Sequence, residues 1–174
     1  NDAALVTEFD ARDDNYQTIL TAGGLVSDAI TAATYGFSTT TVLASGSSST
    51  SWGGMPSLYF DDADYTISSK TQKLRLRAQA LTNATAWSSV TATFGLYPVT
   101  FAGAADTIAV TLGTVVSGST VALANPSAST VNQGNSGDFT IPADGQYCLG
   151  VVLSATVTAD AFALLRATLQ TRWV

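Results

Sequence analysis

Hydrophobic and polar residues alternate strictly near the end of the chain. In residues 165–173 one side of the alternation is apolar apart from one threonine, and the other side is polar. The first side is Leu165, Ala167, Leu169, Thr171 and Trp173, and the second is Arg166, Thr168, Gln170 and Arg172. Residues 74–81 alternate likewise, with Leu74, Leu76, Ala78 and Ala80 opposite Arg75, Arg77 and Gln79. This period of two predicts half-buried β-strands in both segments.

Further strand patterns follow one another at short intervals from residue 55 onward. The longest cover residues 90–97, 108–116, 146–158 and 162–174. Two connections have clear turn signals: a hairpin bend at Gly118, and Pro142–Gly145, where Pro precedes Gly. Roughly seven to nine strands with short connections predict an all-β fold, an antiparallel β-sandwich. Because the Cys…Trp…Cys spacing of antibody domains is missing, we favour a jelly roll over an immunoglobulin-like sandwich.

The beginning of the chain is less regular, and it suggests three parts. Residues 1–43 carry clustered Asp and Asn with weak periodicity, so we expect an N-terminal arm or extension. Residues 44–54 are rich in Ser and Gly, which is typical of a linker or loop. Residues 55–174 then form the β-sandwich domain.

Charged residues are scarce, at 11% of the 174 residues, and this is less than half of the usual ~25%. Such weakly charged, Thr-rich chains are common among β-sandwiches and extracellular or virion surface proteins. The net charge is −6, which argues against a nucleic-acid partner because phosphates require a basic surface. No segment reaches the roughly 18 consecutive apolar residues of a membrane span, so we expect no membrane partner.

The charges are distributed unevenly along the chain. Six of the thirteen acidic residues lie in the first 28 positions, and six of the seven basic residues lie in residues 70–77 and 166–172. The simpler interpretation is that these are solvated strand faces. The alternative is that the acidic N-terminal segment of one subunit pairs with the basic strands of a neighbour.

The chain offers little for catalysis. It contains no His, which excludes a Ser–His–Asp triad and a Cys–His pair. Cys148 is the one cysteine and lies in an apolar run, so we expect a buried, inert core residue. Asp61, Asp62 and Asp64 form an acidic turn without the spacing of an EF-hand loop, and such turns commonly serve backbone hydrogen bonding. We expect no enzyme activity, no cofactor and no metal.

Five stretches resemble structural proteins of tailed bacteriophages, especially head decoration and head-fibre proteins. They are residues 59–65 (YFDDADY), 73–79 (KLRLRAQ), 93–99 (TFGLYPV), 112–121 (LGTVVSGSTV) and 137–147 (GDFTIPADGQY). The resemblance implies a non-catalytic virion protein on the outer surface of the head. It implies a homotrimer that binds the major capsid protein and stabilises or ornaments the shell. We hypothesise that Asp10, Asp13 and Asp14 belong to a capsid-binding arm, so that deleting residues 1–43 abolishes capsid occupancy but leaves the sandwich folded.

The main alternative is a receptor- or glycan-binding domain of a phage tail fibre. Such a domain would use exposed aromatic rings, and the candidates are Trp52 in the Ser/Gly-rich stretch, Tyr97 and, above all, Trp87 in a polar connection. Under this alternative Trp87→Ala removes cell binding, whereas a decoration protein is unaffected. A secreted bacterial adhesin domain fits the composition as well.

Overall fold

The computed structural model describes residues 15–26, 32–37, 43–45, 57–61, 70–83, 87–104, 107–124, 130–157 and 163–174. These residues form eleven β-strands. In chain order they are β1 (Gln17–Val26), β2 (Thr34–Phe37), β3 (Leu43–Ser45), β4 (Ser57–Phe60), β5 (Gln72–Thr82), β6 (Thr91–Ala104), β7 (Thr107–Leu112), β8 (Val121–Ala124), β9 (Asn132–Asn135), β10 (Gly145–Leu153) and β11 (Ala163–Trp173). In the described part of the chain, no helix is both long and apolar enough to cross a membrane.

The strands form two antiparallel sheets. A four-stranded sheet has the order β1-β11-β5-β9. A seven-stranded sheet has the order β3-β2-β10-β6-β7, with β4 also paired to β10 and β8 also paired to β6. The predicted all-β, antiparallel sandwich is therefore confirmed, whereas the jelly-roll connectivity stays a prediction.

The central ribbon of the four-stranded sheet follows the predicted alternation. β5 and β11 pair without a break, from Thr82 opposite Ala163 to Gln72 opposite Trp173. Leu74 and Leu76 face inward on β5, and Leu165 and Leu169 face inward on β11. The polar residues between them consequently point away from the core, because neighbouring side chains of a strand lie on opposite faces.

Two long strands organise the seven-stranded sheet. β10 pairs with β6 from Tyr147 opposite Pro98 to Leu153 opposite Ala92. The other edge of β10 is shared between β4 and β2, and the other edge of β6 is shared between β7 and β8. Each central strand therefore has a neighbour built from two separate pieces of chain.

One hydrophobic core lies between the two sheets. Its largest fully buried side chains come from both sheets and from the connection before β6: Trp87, Phe37, Phe94, Leu74, Leu76, Leu96, Leu149, Leu165 and Leu169. The rings of Phe37 and Phe94 stack with centroids 6.1 Å apart. At the β8–β9 side the sheets approach closely, since a Cβ atom on Gly134 would lie 2.9 Å from Val121 Cγ1.

A second, smaller apolar cluster covers the outer face of the seven-stranded sheet. Tyr97, Val99 and Cys148 are buried there, with Leu112, Val115 and Val152 packed against them. The sheet contains a row of glycines under this cluster, since Gly150 pairs with Gly36 on one side and with Gly95 on the other. The Tyr97 ring fills the space that side chains at Gly95 and Gly150 would occupy.

The chain turns where its sequence signals predicted, but the hairpin expected around Gly118 is wrong, because β7 and β8 each pair with β6 and not with each other. One strand is also shorter than predicted. Gly118 has φ +81° in the bend before β8, a conformation that glycine adopts without steric cost. β7 ends at Leu112 instead of continuing to residue 116. Beyond it, the Gly113 and Val116 amides donate to the carbonyls of Pro98 and Leu96 at 2.8 Å, so this segment runs beside β6 without forming a regular ladder.

The predicted separation of residues 1–43 from the sandwich is wrong for the part that the structure describes. β1 pairs with β11 from Gln17 to Val26, and β2 pairs with β10. Ala22, Tyr35 and Phe37 are buried in the main core. Deleting residues 1–43 would therefore remove two strands of the sandwich, so it cannot serve as a test of an independent arm.

Candidate functional site: the basic face of the four-stranded sheet

The outer face of the four-stranded sheet gathers most of the positive charge of the chain. We call this surface the basic face. Its five cations, out of seven in the whole sequence, are Lys73, Arg75, Arg77, Arg166 and Arg172. They are brought together by the β5–β11 register, in which Arg172 lies opposite Lys73 and Arg166 lies opposite Gln79.

Neutral amide side chains hold two of the arginines in place. Arg75 donates to Gln170 Oε1 from Nε at 3.1 Å and from Nη2 at 2.8 Å. Arg77 donates from Nη2 to Gln133 Oε1 of β9 at 2.7 Å. These glutamine partners fix the direction of each guanidinium without neutralising its charge. Each guanidinium still has N–H donors that these bonds do not use.

One end of the basic face is closed by an aromatic and acidic group. Asp138 accepts a hydrogen bond from Arg172 Nη2 at 2.6 Å and a second, short one from the Tyr16 hydroxyl. The Tyr16 ring lies 3.5 Å from the Arg75 guanidinium carbon and 4.8 Å from that of Arg172, which is cation–π geometry. The chain therefore passes onto the basic face immediately before β1.

The charges at this end shift two pKa values in opposite directions. Hydrogen bonds from Tyr16 and from Arg172 lower the pKa of Asp138, because both stabilise the carboxylate. Desolvation raises the pKa of the Tyr16 hydroxyl, and its hydrogen bond to Asp138 adds to the increase. At neutral pH the group is therefore a carboxylate held between a phenol and a guanidinium.

The opposite end of the basic face is open. Arg166 is exposed there, whereas Lys73 lies opposite Arg172 at the closed end. Neither Arg166 nor Lys73 makes a side-chain hydrogen bond or ion pair with another described residue. Gly23 of β1 lies opposite Arg166. A Cβ atom on Gly23 would lie 2.6 Å from the Leu165 carbonyl oxygen and 3.5 Å from Arg166 Cβ, so the glycine leaves room beside the arginine.

The predicted chemistry of Cys148 agrees with its position. Cys148 is fully buried, and burial raises the pKa of its thiol from 9.0 to about 12. A thiol with so high a pKa is not a nucleophile near neutral pH. Among the residues that the structure describes, no three His, Cys, Asp or Glu side chains form a group that could hold a metal ion. Asp62 and Asp64 lie outside those residues.

The predicted partner-binding residues have different outcomes. Asp10, Asp13, Asp14 and Trp52 lie outside the described residues. Trp87 is described, and its ring is completely buried in the main core, contrary to the expected exposure. Tyr97 is likewise buried, in the smaller apolar cluster. The large apolar surface of Trp87 explains its position, although its Nε1 has no hydrogen-bond partner among the residues that the structure describes. Stacking of Trp87 on a sugar is therefore excluded in this fold.

An aromatic cleft lies at an open end of the sandwich, and the sequence did not suggest it. The cleft has a volume of about 260 Å³ and is lined by Ile19, Leu58, Tyr59, Phe60, Gln72, Thr171 and Trp173. Tyr59 is 62% exposed, and Gln72 Nε2 donates to Thr171 Oγ1 at 3.1 Å. We call this site the Tyr59 cleft.

Comparison with known proteins adds no relative. The chain matches no protein-family model, no curated protein and no solved structure.

Proposed function

We propose that this chain is a non-catalytic virion structural protein that binds the outer surface of a tailed-bacteriophage head. It contacts the major capsid protein, as a decoration or head-fibre protein, and stabilises or ornaments the shell. A protein that binds only the assembled shell stabilises it by mass action. In this proposal the chain acts as a homotrimer with jelly-roll connectivity, requires no cofactor, and has neither nucleic acid nor membrane as a partner.

The observation that supports a binding role is the basic face. On a chain of net charge −6, five cations lie on one face of one sheet. Arg75 and Arg77 are held in defined positions by amides. Such pre-ordering lowers the entropy cost of docking against another surface. The resemblance of the five sequence stretches to phage structural proteins supplies the virion as the place of that docking.

Immunogold labelling of intact phage particles from the source culture tests this proposal. We expect an antibody against the chain to label heads, and preadsorption with purified chain to abolish the label. Label over the head supports a decoration role. Particles without any label, in a preparation where the chain is detected in the lysate, contradict a virion role.

The Tyr59 cleft favours one second function, a receptor- or glycan-binding domain of a tail fibre. It combines an exposed aromatic ring, the half-buried Trp173 and the polar side chains of Gln72 and Thr171. This mixture suits a sugar, whose apolar face stacks on rings while its hydroxyls form hydrogen bonds. Label confined to the tail tip would support this function.

A glycan-binding role would depend on Tyr59. Under that function Tyr59→Ala abolishes binding to host cells, and Val131→Ala, which removes a similarly exposed apolar side chain elsewhere, preserves it. Equal cell binding by both variants would contradict the tail-fibre function.

A further inference from the structure

We propose that the basic face is a docking surface for an extended acidic polypeptide segment of a partner protein, with carboxylates at alternating positions. The inference deepens the proposed function by naming the chemistry of the partner. It rests on three features of the basic face: the spacing of its cations, the chemistry of the side chains between them, and its open end at Arg166.

The cations follow the repeat of a β-strand. Lys73, Arg75 and Arg77 occupy every second position of β5, and such positions are about 7 Å apart. An extended polypeptide presents alternate side chains at the same interval of about 7 Å. A segment that runs along β5 with an acid at every second residue therefore matches the spacing of these cations, and it meets Arg75 on the side that the Tyr16 ring leaves open.

The side chains between the cations suit a polypeptide. Gln170 and Gln133 already hold arginines, and Thr168 and Asn135 lie beside Arg77 in the register. These amides and hydroxyls both donate and accept hydrogen bonds, as the amide and carbonyl groups of a peptide require. Arginine adds the planar donors that match a carboxylate.

The distribution of charge disfavours a nucleic acid on this surface. Specific duplex binding commonly uses about six to ten phosphate contacts, whereas the basic face has five cations. One of these, Arg172, is already paired with Asp138. The remainder of the chain is acidic and repels a long polyanion, but a short acidic segment meets only the local positive field.

The open end indicates where the segment binds most strongly. Arg166 is exposed beside Gly23, and Lys73 lies at the other end of the ribbon. Neither side chain has to break an existing interaction with a described residue before it binds a carboxylate. Arg166 is therefore the residue whose loss should weaken docking most.

The test uses the full chain and a fluorescent ten-residue peptide of alternating Thr and Glu. Binding is measured by fluorescence anisotropy at low and high salt. We expect saturable binding that weakens at high salt, and a Kd raised about tenfold by Arg166→Gln, as is typical for the loss of one charge-assisted contact. The matched control is Lys70→Gln, which removes one positive charge before β5 begins and should leave the Kd within about twofold.

Three comparison probes determine whether the recognition is specific. A Thr–Lys peptide should not bind, and a peptide with the same composition but consecutive glutamates should bind more weakly. Equal affinity for both Glu peptides would overturn the inference, because alternation would then be irrelevant. Tighter binding of a single-stranded oligonucleotide than of the alternating peptide would also overturn it.

A final variant distinguishes a separate partner from the chain itself. If the triple variant Asp10→Asn, Asp13→Asn, Asp14→Asn binds the peptide much more tightly, the acidic N-terminal residues compete for the basic face, and this overturns a separate partner. Unchanged affinity for the peptide supports a separate partner protein.

Peptide recognition by a chain that does not label phage particles leaves this inference standing and removes the proposed function. If heads are labelled but the chain does not bind the peptide, the proposed function stands and this inference is overturned.

Discussion

The two sheets complete their outer faces in different ways. On the seven-stranded sheet, the chain packs Val115 and Leu112 over Tyr97, Val99 and Cys148, so the face is apolar and covered. On the four-stranded sheet, the outward positions of β5 and β11 are mostly filled by arginine, lysine, glutamine and threonine, with Leu81 opposite Leu164 at one end. Arg77 and Arg166 remain exposed.

This difference separates a stabilising surface from a binding surface. Close packing on the covered face makes each atom there important for folding, because interiors tolerate neither cavities nor added volume. Exposed ion pairs contribute little to stability, so the basic face can change its sequence at small cost to folding. Substitutions on the covered face should therefore affect stability, and substitutions on the basic face should affect binding.

The largest effect is expected at the glycine row. A Cβ atom at Gly150 would lie 2.8 Å from the Tyr35 carbonyl oxygen and 3.0 Å from two Tyr97 ring atoms. Gly150→Val should lower the free energy of unfolding by about 3 kcal/mol, since overpacking moves both backbone and ring. Urea denaturation measures the change. Gly137→Ala is the control, because no atom of the described residues lies within 4 Å of its Cβ position. Equal stability of both variants would contradict close packing on the covered face of the seven-stranded sheet.

Alkaline pH should destabilise the covered face through Cys148. Burial raises the pKa of its thiol from 9.0 to about 12, so the folded state retains a proton that the unfolded chain loses. The resulting stability is fully present below pH 9 and is lost as pH rises towards 12, with a slope of about 1.4 kcal/mol per pH unit. We therefore expect a loss of about 2 kcal/mol by pH 10.5.

The variant Cys148→Ala isolates this contribution. It retains every tyrosine, so its unfolding free energy should fall less steeply above pH 9 than that of the parent chain. Denaturant unfolding at several pH values measures both slopes. Parallel slopes would show that the thiol does not distinguish the folded from the unfolded state.

A smaller effect is expected where the covering segment joins β6. The buried Ser119 Oγ accepts a hydrogen bond from the Leu96 amide at 3.0 Å and donates one to the Val116 carbonyl at 2.8 Å. Ser119→Ala leaves the Leu96 amide without this acceptor and should cost about 1.5 kcal/mol. Thermal and urea unfolding test this, with Ser117→Ala, an exposed serine of the same turn, as the neutral control. If Ser119→Ala leaves the free energy of unfolding unchanged, another acceptor replaces the hydroxyl for the Leu96 amide.

The sequence predicted the strands of the basic face better than the pairing between them. Alternation identified both faces of β5 and β11, because a period of two is a local property of a strand. The basic face depends in addition on the pairing of these strands, which joins Arg75 to Gln170 across 95 positions. The clustering of basic residues in two segments was the available signal, but periodicity contains no register between distant strands.

Two predictions were wrong because they depended on tertiary structure, which the local pattern does not contain. The polar neighbours of Trp87 predicted an exposed ring, whereas the ring lies in the core, because burial depends on which elements surround a connection. The irregular pattern of residues 17–26 predicted an arm, whereas pairing with β11 makes them a strand of the four-stranded sheet. Tertiary pairing overrides weak local preference in both cases.

The smallest effect on stability is expected on the basic face, at Asp138. Asp138→Asn removes the charge that pairs with Arg172 at 2.6 Å but retains an oxygen that can accept from Tyr16. We expect a loss of about 0.5 kcal/mol at neutral pH and low salt, because the pair is partly exposed. The pKa of the carboxyl is lowered below 3.8 by Tyr16 and Arg172, so this stability is present above pH 3.8 and disappears as pH falls through the folded value.

A double-mutant cycle with Arg172→Gln measures this coupling directly. The coupling should be small at low salt and vanish at about 1 M salt, where the Debye length is about 3 Å. A coupling of several kcal/mol would mean that the basic face is as important for folding as the covered face, and the distinction between the two surfaces would fail. A small coupling, together with a large loss at Gly150→Val, would assign stability to the covered face and leave the basic face available for a partner.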